Sequence, residues 1–578
     1  MTTITRAQPR NTIRVTFDND LVLEGPVGAT AESFLKAAAD ITPDHYDSPI
    51  MGAIIDGRLR ELAYPLYRDA QIQPVLLSSS DGGRIYRRSL VMLLTTAVEE
   101  LWPGTKVAVS YAVPDGGFYC RVMNRDPLTK DELAELYSHM RHIVEQDEPI
   151  SKRLASMEEA NALFQAREDH DKVRLLEQRT RDELVLYRLR DREDYYYGYM
   201  VPSTAYLQLF RLIVVDAGFI LQYPRKETTG TLGNIAAYNK LTQVFQEADH
   251  WLQRMGVEDI GRLNSIVRAD QVHELILVAE ALHEQRVARI ASEIRRQHED
   301  QGVRIVLIAG PSSSGKTTFS KRLAIQLLAN GLRPFTLEMD NYFVDRELTP
   351  RDESGDYDFE SLYAINLKLF NEQLLQLIAG QEVQLPRFDF MTGQSVPGRI
   401  ARLNDGQIII IEGIHGLNPA LVPDIPKEVI HRVYVSALTQ LNIDWHNRVP
   451  TTDVRLLRRI VRDAQHRGYN AADTLKRWGS VRRGEKHNIF PFQENADVMF
   501  NSALTYELAA LRPMAEPLLL QVRFGTPEHI EANRLLSFLN WVQPLTQAQM
   551  DHIPDTSLLR EFIGGSSLQD YHPYRPAE

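Results

Sequence analysis

Residues 303–324 read VRIVLIAGPSSSGKTTFSKRLA, and this stretch decides the fold of the C-terminal half. The apolar run 303–309 is typical of a parallel strand that is buried on both faces. The segment 310–317 matches the pattern G-x-x-x-x-G-K-[ST], and a helical pattern follows it. A strand, a glycine-rich loop and a helix in this order predict a phosphate-binding loop.

The predicted loop indicates which ligands it would hold. Its backbone N–H groups would converge on phosphate oxygens, and the start of the helix would add a positive dipole end. Lys316 would bring a mobile charge to the β- and γ-phosphates, and the Thr317 hydroxyl would hold Mg²⁺. We therefore expect ATP and Mg²⁺ as cofactors, with nucleotide contacts from Gly310, Ser312, Ser313, Ser314, Gly315, Lys316, Thr317 and Thr318.

Further apolar segments follow at intervals that suit a sheet of the same kind, at 334–339, 407–411, 432–436 and 497–500. Their alternation with helical patterns predicts a doubly wound parallel sheet, whose ligands bind beyond the carboxyl ends of the strands. Asp340 and Glu412 come at two of these ends. Either acid could merely cap the next segment, but two acids beside a phosphate loop favour metal binding or proton transfer.

Residues 301–525 resemble the uridine kinase and phosphoribulokinase family of P-loop kinases. The matching segments keep the family's order and spacing: GPSSSGKTT (310–318), MDNYF (339–343), YDFES (357–361), LPRFDF (385–390), IIIIEGIHGL (408–417) and VRLLRRIVRDAQHRG (454–468). The resemblance implies a P-loop kinase of the α/β class with a doubly wound parallel sheet.

The resemblance also implies roles for individual residues. Lys316 and Asp340 would be catalytic, with Asp340 as the general base, and Mg²⁺ would be held by Thr317, Asp340 and Glu412. The acceptor would be bound by Asp358, Phe388 and Asp389. A lid would stabilise the transferring phosphoryl group through Arg459, Arg462 and Arg467. Five arginines lie between positions 455 and 467, and we expect two or three to be functional and the others to lie on the surface.

The sequence departs from the uridine kinase pattern around the nucleobase. Where uridine kinases place a tyrosine and a histidine, this chain has Phe388 and Gly393. The tyrosine after the catalytic aspartate is displaced to Tyr342, and Tyr469 stands at the second lid arginine. A site that lacks polar groups for the base loses discrimination, so uridine selectivity is expected to be weak.

The front half resembles a different family. Residues 12–77 mix short alternating runs with one helical stretch and resemble the TGS domain, a β-grasp module. Residues 81–265 resemble the editing domain of threonyl-tRNA synthetases, through AVEELWPG (97–104), DGGFY (115–119), MVPST (200–204) and residues 232–264. The positions aligned with that family's zinc ligands are Arg88, Met92, Tyr196 and Met200. These side chains do not make a good zinc site, so we expect the fold without the editing chemistry.

We expect five segments along the chain. They are a TGS-like β-grasp module (1–80), a degenerate editing-like α+β domain (81–270), a connector helix (271–300), the P-loop kinase domain (301–525) and a C-terminal tail (526–578). The tail contains Trp541, Phe562 and Tyr571, for which ordinary packing is expected rather than an oligomer surface.

Composition excludes several classes of function. The net charge of −12 argues against broad binding to nucleic acid or anionic membranes. Cys120 is the one cysteine, which excludes a disulfide framework and a CxxC metal site. Residues 1–14 lack the apolar stretch of a signal peptide, and no run is long enough to span a bilayer. A cytoplasmic location and no membrane partner are therefore expected. We also expect a homo-oligomer, and contact with nucleic acid, if any, through the N-terminal half.

The leading functional prediction is ATP- and Mg²⁺-dependent phosphorylation of a hydroxyl on a nucleoside or a related sugar, which makes a small molecule the main partner. One alternative is a sugar-phosphate kinase of the phosphoribulokinase type. Another is a nucleotide-binding sensor whose N-terminal half docks on RNA or on a protein. The complete set of Lys316, Asp340 and Glu412 favours an enzyme over a sensor.

Overall fold

A computed structural model describes residues 10–42, 46–177, 179, 181–236, 238–351, 355, 357–389, 391–404, 406–439 and 441–572. Ala237 and Phe390, which belong to two of the matching segments, lie outside the described residues. The outer ends of the first and last predicted segments, residues 1–9 and 573–578, lie outside them as well.

The N-terminal part is a five-stranded sheet with one helix. Its elements are β1 (Thr12–Phe17), β2 (Val22–Pro26), α1 (Ala31–Ile41), β3 (Ile50–Ile55), β4 (Arg58–Arg60) and β5 (Ala70–Leu76). The strands lie in the order β2-β1-β5-β3-β4, and only β1 and β5 run parallel among the described pairs. Phe34 and Leu35 of α1 are buried against the sheet with Val15 and Ile72. Alternation of apolar residues along the strands places one face of the sheet against this helix.

The next part holds two antiparallel sheets around a long buried helix. Its elements are α2 (Ser80–Leu101), β6 (Lys106–Val113), β7 (Gly117–Met123), α3 (Lys130–Glu145), β8 (Ile150–Ser156), α4 (Met157–Ala166), α5 (His170–Leu176), β9 (Glu183–Leu189), β10 (Arg192–Asp194), β11 (Arg211–Val215), β12 (Gly218–Gln222), α6 (Asn239–Arg254) and α7 (Ile260–Arg268). The sheets have the orders β11-β12-β7-β6 and β10-β9-β8. Residues 90–94 and 97–98 of α2 are buried, as a helix enclosed between layers requires.

The C-terminal half is built on a parallel sheet. The long helix α8 (Val272–Gln301) leads into it, followed by β13 (Ile305–Ala309), α9 (Lys316–Ala329), β14 (Arg333–Glu338), α10 (Leu367–Ile378), β15 (Glu382–Asp389), β16 (Gln394–Arg402), β17 (Gln407–Glu412), β18 (Ile430–Ser436), α11 (Thr451–His466), α12 (Ala471–Asn488) and β19 (Val498–Asn501). The sheet order is β14-β17-β13-β18-β19, with every pairing parallel. The predicted fold class is confirmed, and β15–β16 forms a separate antiparallel hairpin.

The C-terminal tail is an integral layer of the same core. It follows α13 (Glu507–Leu520) and contains α14 (Pro527–Leu539), α15 (Gln547–Met550) and α16 (Arg560–Ile563). Trp541 is 6% exposed and Phe562 is fully buried, and both share one apolar cluster with α8, α9 and α11. For these two residues the expected packing is found.

A loop of the parallel-sheet half is anchored to the front half. We call residues 437–450, of which all but residue 440 are described, the anchored loop; it connects β18 to α11. The Trp445 amide donates to Asp171 at 2.8 Å, and the Val109 amide donates to the Trp445 carbonyl at 2.8 Å. Lys172 lies 2.9 Å from Asp194 and 3.4 Å from Asp444 of the loop. The front half therefore fixes the segment from which α11 begins.

Among the helices of the described ranges, none combines the length and the apolar character that a membrane crossing needs.

Candidate active site

The glycine-rich loop lies between β13 and α9, where the sequence predicted it. A Cβ on Gly310 would lie 1.9 Å from the Val435 carbonyl oxygen, so no side chain fits there. Gly315 adopts a φ of +84° directly before the first residue of α9, a conformation that favours glycine. The loop thereby presents its backbone N–H groups and the start of a 14-residue helix to the same space.

Lys316 is the first residue of this helix. Its ammonium group donates to the Pro311 carbonyl at 3.3 Å, inside the loop. Burial lowers the pKa of Lys316, while Glu412 opposes that shift. The side chain is thus held close to the loop by a weak neutral contact, which a phosphate oxygen can replace.

Two carboxylates meet at the carboxyl edge of the sheet. Glu412 ends β17 beside β14, in register with Glu338, and Asp340 follows in a short 3₁₀ turn. The Thr317 hydroxyl donates to Glu412 at 3.0 Å. Burial raises the pKa of Asp340, with a further contribution from Glu338. Burial also raises the pKa of Glu412, against the effect of Lys316.

These groups fit a magnesium ion. Mg²⁺ is bound through one or two carboxylates together with substrate phosphates and water rather than by a cage made of protein alone. The hydroxyl of Thr317 and the two carboxylates are oxygen donors of that kind. Across the part of the chain that the structure covers, no group of three or more His, Cys, Asp or Glu residues is placed to hold a metal.

The arginines of α11 do not divide into functional and surface residues as expected. Arg455 and Arg458 were expected on the surface, and that expectation is wrong, because both side chains are almost fully buried. Arg455 pairs with Glu485 and donates to the Ser312 carbonyl at 3.0 Å. Arg458 pairs with Glu507 at 2.6 Å. Since a buried guanidinium needs a carboxylate partner, these two residues fix the helix beneath the phosphate loop.

The three arginines predicted to act on phosphate surround one carboxylate. Arg459 lies 3.3 Å, Arg462 3.0 Å and Arg467 3.6 Å from the Asp463 carboxylate. Arg459 also donates to the Ser312 hydroxyl at 2.7 Å, which brings it to the loop. The Arg467 side chain is half exposed. The structure therefore gathers all three, but only Arg459 has a described contact with the loop.

The predicted acceptor residues have local contacts of their own. An Asp358 oxygen accepts from the Glu360 amide at 3.0 Å. Phe388 is buried, and its ring meets Phe343 edge-on at 5.6 Å between centroids. Asp389 accepts from the Met391 and Thr392 amides at 2.9 Å and 3.3 Å in the turn of the hairpin, which lowers its pKa. The described contacts of Asp358 and Asp389 are thus with neighbours in their own turns, and Phe388 packs on Phe343.

Sequence reasoning missed three glutamates of the site. Glu485 binds the Ser312 amide at 3.0 Å, and Glu561 of the tail accepts from the Thr318 amide at 3.2 Å and its hydroxyl at 2.8 Å. The pKa of Glu360 is raised to about 7 by burial and by Glu485. Glu360 belongs to the matching segment YDFES, two residues after Asp358, so the sequence motif could have identified it as a site residue. Glu485 and Glu561 lie far from any motif.

The comparisons with known proteins agree with this geometry. Residues 305–509 match the phosphoribulokinase / uridine kinase family. The front half matches threonyl-tRNA synthetases, for example the threonine–tRNA ligase of Nitrosococcus oceani, with 34% identity over 183 residues, which are 32% of this chain and 28% of that protein. The chain therefore spans less than a third of the length of such relatives.

Solved structures similar to this chain include P-loop kinases. A D-glycerate 3-kinase from Cryptococcus neoformans has 15% identity and a TM-score of 0.26, over 36% of this chain and 89% of its own. A structure described as a possible uridine kinase, from Bacillus stearothermophilus, has 22% identity and a TM-score of 0.24, over 34% of this chain and 88% of its own.

The side chains at the positions that we aligned with the zinc ligands of editing domains are packed in the interior of the domain. Met92 is 0%, Tyr196 2% and Met200 1% exposed. The hydroxyls of Thr95 and Tyr196 lie 3.1 Å apart. Arg88 donates to the Tyr199 carbonyl at 2.6 Å. Met92, Tyr196 and Met200 therefore lie in a packed interior, and Arg88 and Tyr196 use their polar atoms in hydrogen bonds.

Proposed function

We propose that the chain is an ATP- and Mg²⁺-dependent kinase that transfers the γ-phosphoryl group to a hydroxyl of a nucleoside or a related sugar. The supporting observation is the meeting of Lys316, Asp340 and Glu412 at the carboxyl edges of three neighbouring parallel strands. Phosphoryl transfer depends on positioning and on neutralising charge. These residues supply a cation for phosphate, a base and oxygen ligands in one place.

The proposed reaction is a direct transfer. The acceptor hydroxyl oxygen bonds to the γ-phosphorus as the bond to the β–γ bridging oxygen breaks, and ADP leaves. Asp340 takes the hydroxyl proton. Lys316 and Arg459 neutralise charge on the phosphates. Mg²⁺ held by Thr317, Asp340 and Glu412 would supply further charge neutralisation.

The acids of the site favour an acceptor without a phosphate group. Glu360 lies near enough to Asp358 and Glu485 for both to raise its pKa, with Arg459 acting against them. A phosphate on the acceptor would be repelled at short range by those of these carboxylates that are ionised. We therefore favour a nucleoside or an unphosphorylated sugar over the sugar-phosphate alternative.

The test is a screen with radiolabelled ATP against nucleosides, sugars and sugar phosphates. Lys316→Ala and Asp340→Asn should each lower turnover by about 10²–10⁴-fold, the range for a lost catalytic group. Lys368→Ala is the control, because this lysine is 86% exposed on α10. Label transfer to none of the acceptors, or near-normal turnover in both variants, would contradict the proposal. ATP binding without any transfer would support the sensor instead.

A further inference from the structure

A segment of the C-terminal tail lies against the phosphate loop, although the two are about 240 residues apart in sequence. Leu558 packs on Gly315, because a Cβ on that glycine would lie 2.4 Å from the Leu558 side chain. The Arg458 guanidinium lies 5.0 Å from the centroid of the Phe562 ring. Between these two contacts stands Glu561, whose carboxylate reaches the first turn of α9. We call residues 555–563 the tail segment.

Independent contacts hold the tail segment in this position. The Ser557 hydroxyl donates to Glu280 of α8 at 2.5 Å, and the Tyr506 hydroxyl donates to the same carboxylate at 2.6 Å. Further along, the Lys321 ammonium donates to the Leu568 and Gln569 carbonyls at 2.7 Å and 2.8 Å. These contacts hold the backbone on both sides of Glu561 and therefore fix its position beside the phosphate loop.

Glu561 occupies donors that a nucleotide needs. The Thr318 amide is one of the free N–H groups at the start of α9, and such groups in this kind of loop bind the phosphates of a nucleotide. Glu561 accepts from that amide at 3.2 Å and from the Thr318 hydroxyl at 2.8 Å. A carboxylate is stabilised at a helix N-terminus in the same way as a phosphate. The two anions cannot use these donors at once.

We propose that Glu561 is an autoinhibitory carboxylate, which holds the phosphate donors of Thr318 until its side chain turns away and nucleotide takes its place. This rests on the nucleotide binding of the proposed function and is independent of the acceptor. Nucleotide then binds against the free energy of the two hydrogen bonds from Thr318 to Glu561. A partner or ligand that drew the Glu561 side chain away would raise nucleotide affinity without contacting the nucleotide.

The experiment measures Mg·ATP affinity of the full chain by titration calorimetry. Glu561→Gln keeps the shape and an acceptor oxygen but removes the charge that opposes phosphate. We expect it to bind Mg·ATP at least about tenfold more tightly than the wild type, which corresponds to about 1.4 kcal/mol. Asp570→Asn is the matched control, because it removes an exposed carboxylate of the same tail that has no described contact with the loop, and its affinity should be unchanged.

A second measurement does not depend on the variant. Hydrogen exchange of the wild type should show faster exchange in residues 555–563 when Mg·ATP is added, because the segment loses the two bonds between Glu561 and Thr318 that help to hold it. Equal or weaker ATP binding by Glu561→Gln, or unchanged exchange in that segment at saturating ATP, would overturn the inference and leave the proposed function standing. Absence of nucleotide binding by the wild type and all variants would overturn both.

Discussion

Removal of the Lys172 charge should loosen the link between the front half and the anchored loop. Lys172 and its partners Asp194 and Asp444 are at most 2% exposed. Loss of one member of a buried pair costs about 3–5 kcal/mol, because the partner is left as an uncompensated charge. In Lys172→Met we expect about 3 kcal/mol, the low end of that range, since Asp194 keeps Arg192 at 2.8 Å.

The anchored loop carries its own reporters of this change. The amides of His446 and Asn447 both donate to Asp444 at 2.8 Å, and the Asn447 side chain donates to it at 2.7 Å. Native-state hydrogen exchange measures the free energy of local opening. A loss of about 3 kcal/mol lowers the protection of these amides by roughly a hundredfold, since each 1.4 kcal/mol is a factor of ten.

Two further variants serve as a control and as a rescue for this prediction. Lys130→Met removes an exposed lysine of the same half with no described partner, and its effect should stay within about 0.5 kcal/mol. Asp444→Asn added to Lys172→Met should restore part of the protection, because it removes the stranded charge. A loss of protection below about tenfold in Lys172→Met would refute the reasoning, because it would mean that the ion pair does not hold the loop.

Three other predictions concern selectivity, pH and metal. With Phe388 and Gly393 at the base-facing positions, kcat/KM should favour uridine over other nucleosides by less than about a hundredfold, since that ratio needs roughly 3 kcal/mol of base-specific contact; a larger preference measured over a nucleoside panel contradicts this. Because the folded-state pKa of Glu360 is raised to about 7, the wild type should lose stability relative to Glu360→Gln as pH rises from about 5 to 7, and parallel thermal midpoints between these pH values would disprove it. The purified chain should carry no stoichiometric zinc and should not deacylate seryl-tRNA; about one equivalent by elemental analysis, or deacylation above the rate without enzyme, would be evidence of an editing site.

Sequence reasoning predicted the fold class and the positions of Lys316, Asp340 and Glu412 near the carboxyl ends of parallel strands. The strand, loop and helix around Gly310–Thr317 lie next to each other in sequence, so their pattern determines local structure. Asp340 and Glu412 are far apart in sequence, yet parallel strands bring their carboxyl ends to one edge. The predicted strand at 334–339 ends at Glu338 instead, and Asp340 belongs to the turn that follows.

The features of the site that the sequence did not predict depend on contacts between segments that are far apart in the chain. Arg455 and Arg458 carry the charge of surface residues, and only their pairing with Glu485 and Glu507 explains their burial. Glu561 contacts Thr318 across 243 positions of the chain. No periodicity or motif marks such a pair, because its formation depends on how complete layers pack. The same holds for the anchored loop and Lys172.

The close packing of Met92, Tyr196 and Met200 has a consequence for substitutions at these positions. These side chains are now part of the apolar core around α2. A single change to histidine or cysteine would bury a polar group with no metal and no second ligand to satisfy it, at a cost of about 1–3 kcal/mol. Each single substitution would lower the stability of the chain without completing a set of metal ligands. Substitutions should therefore be tolerated better on the outside of this domain than at these positions.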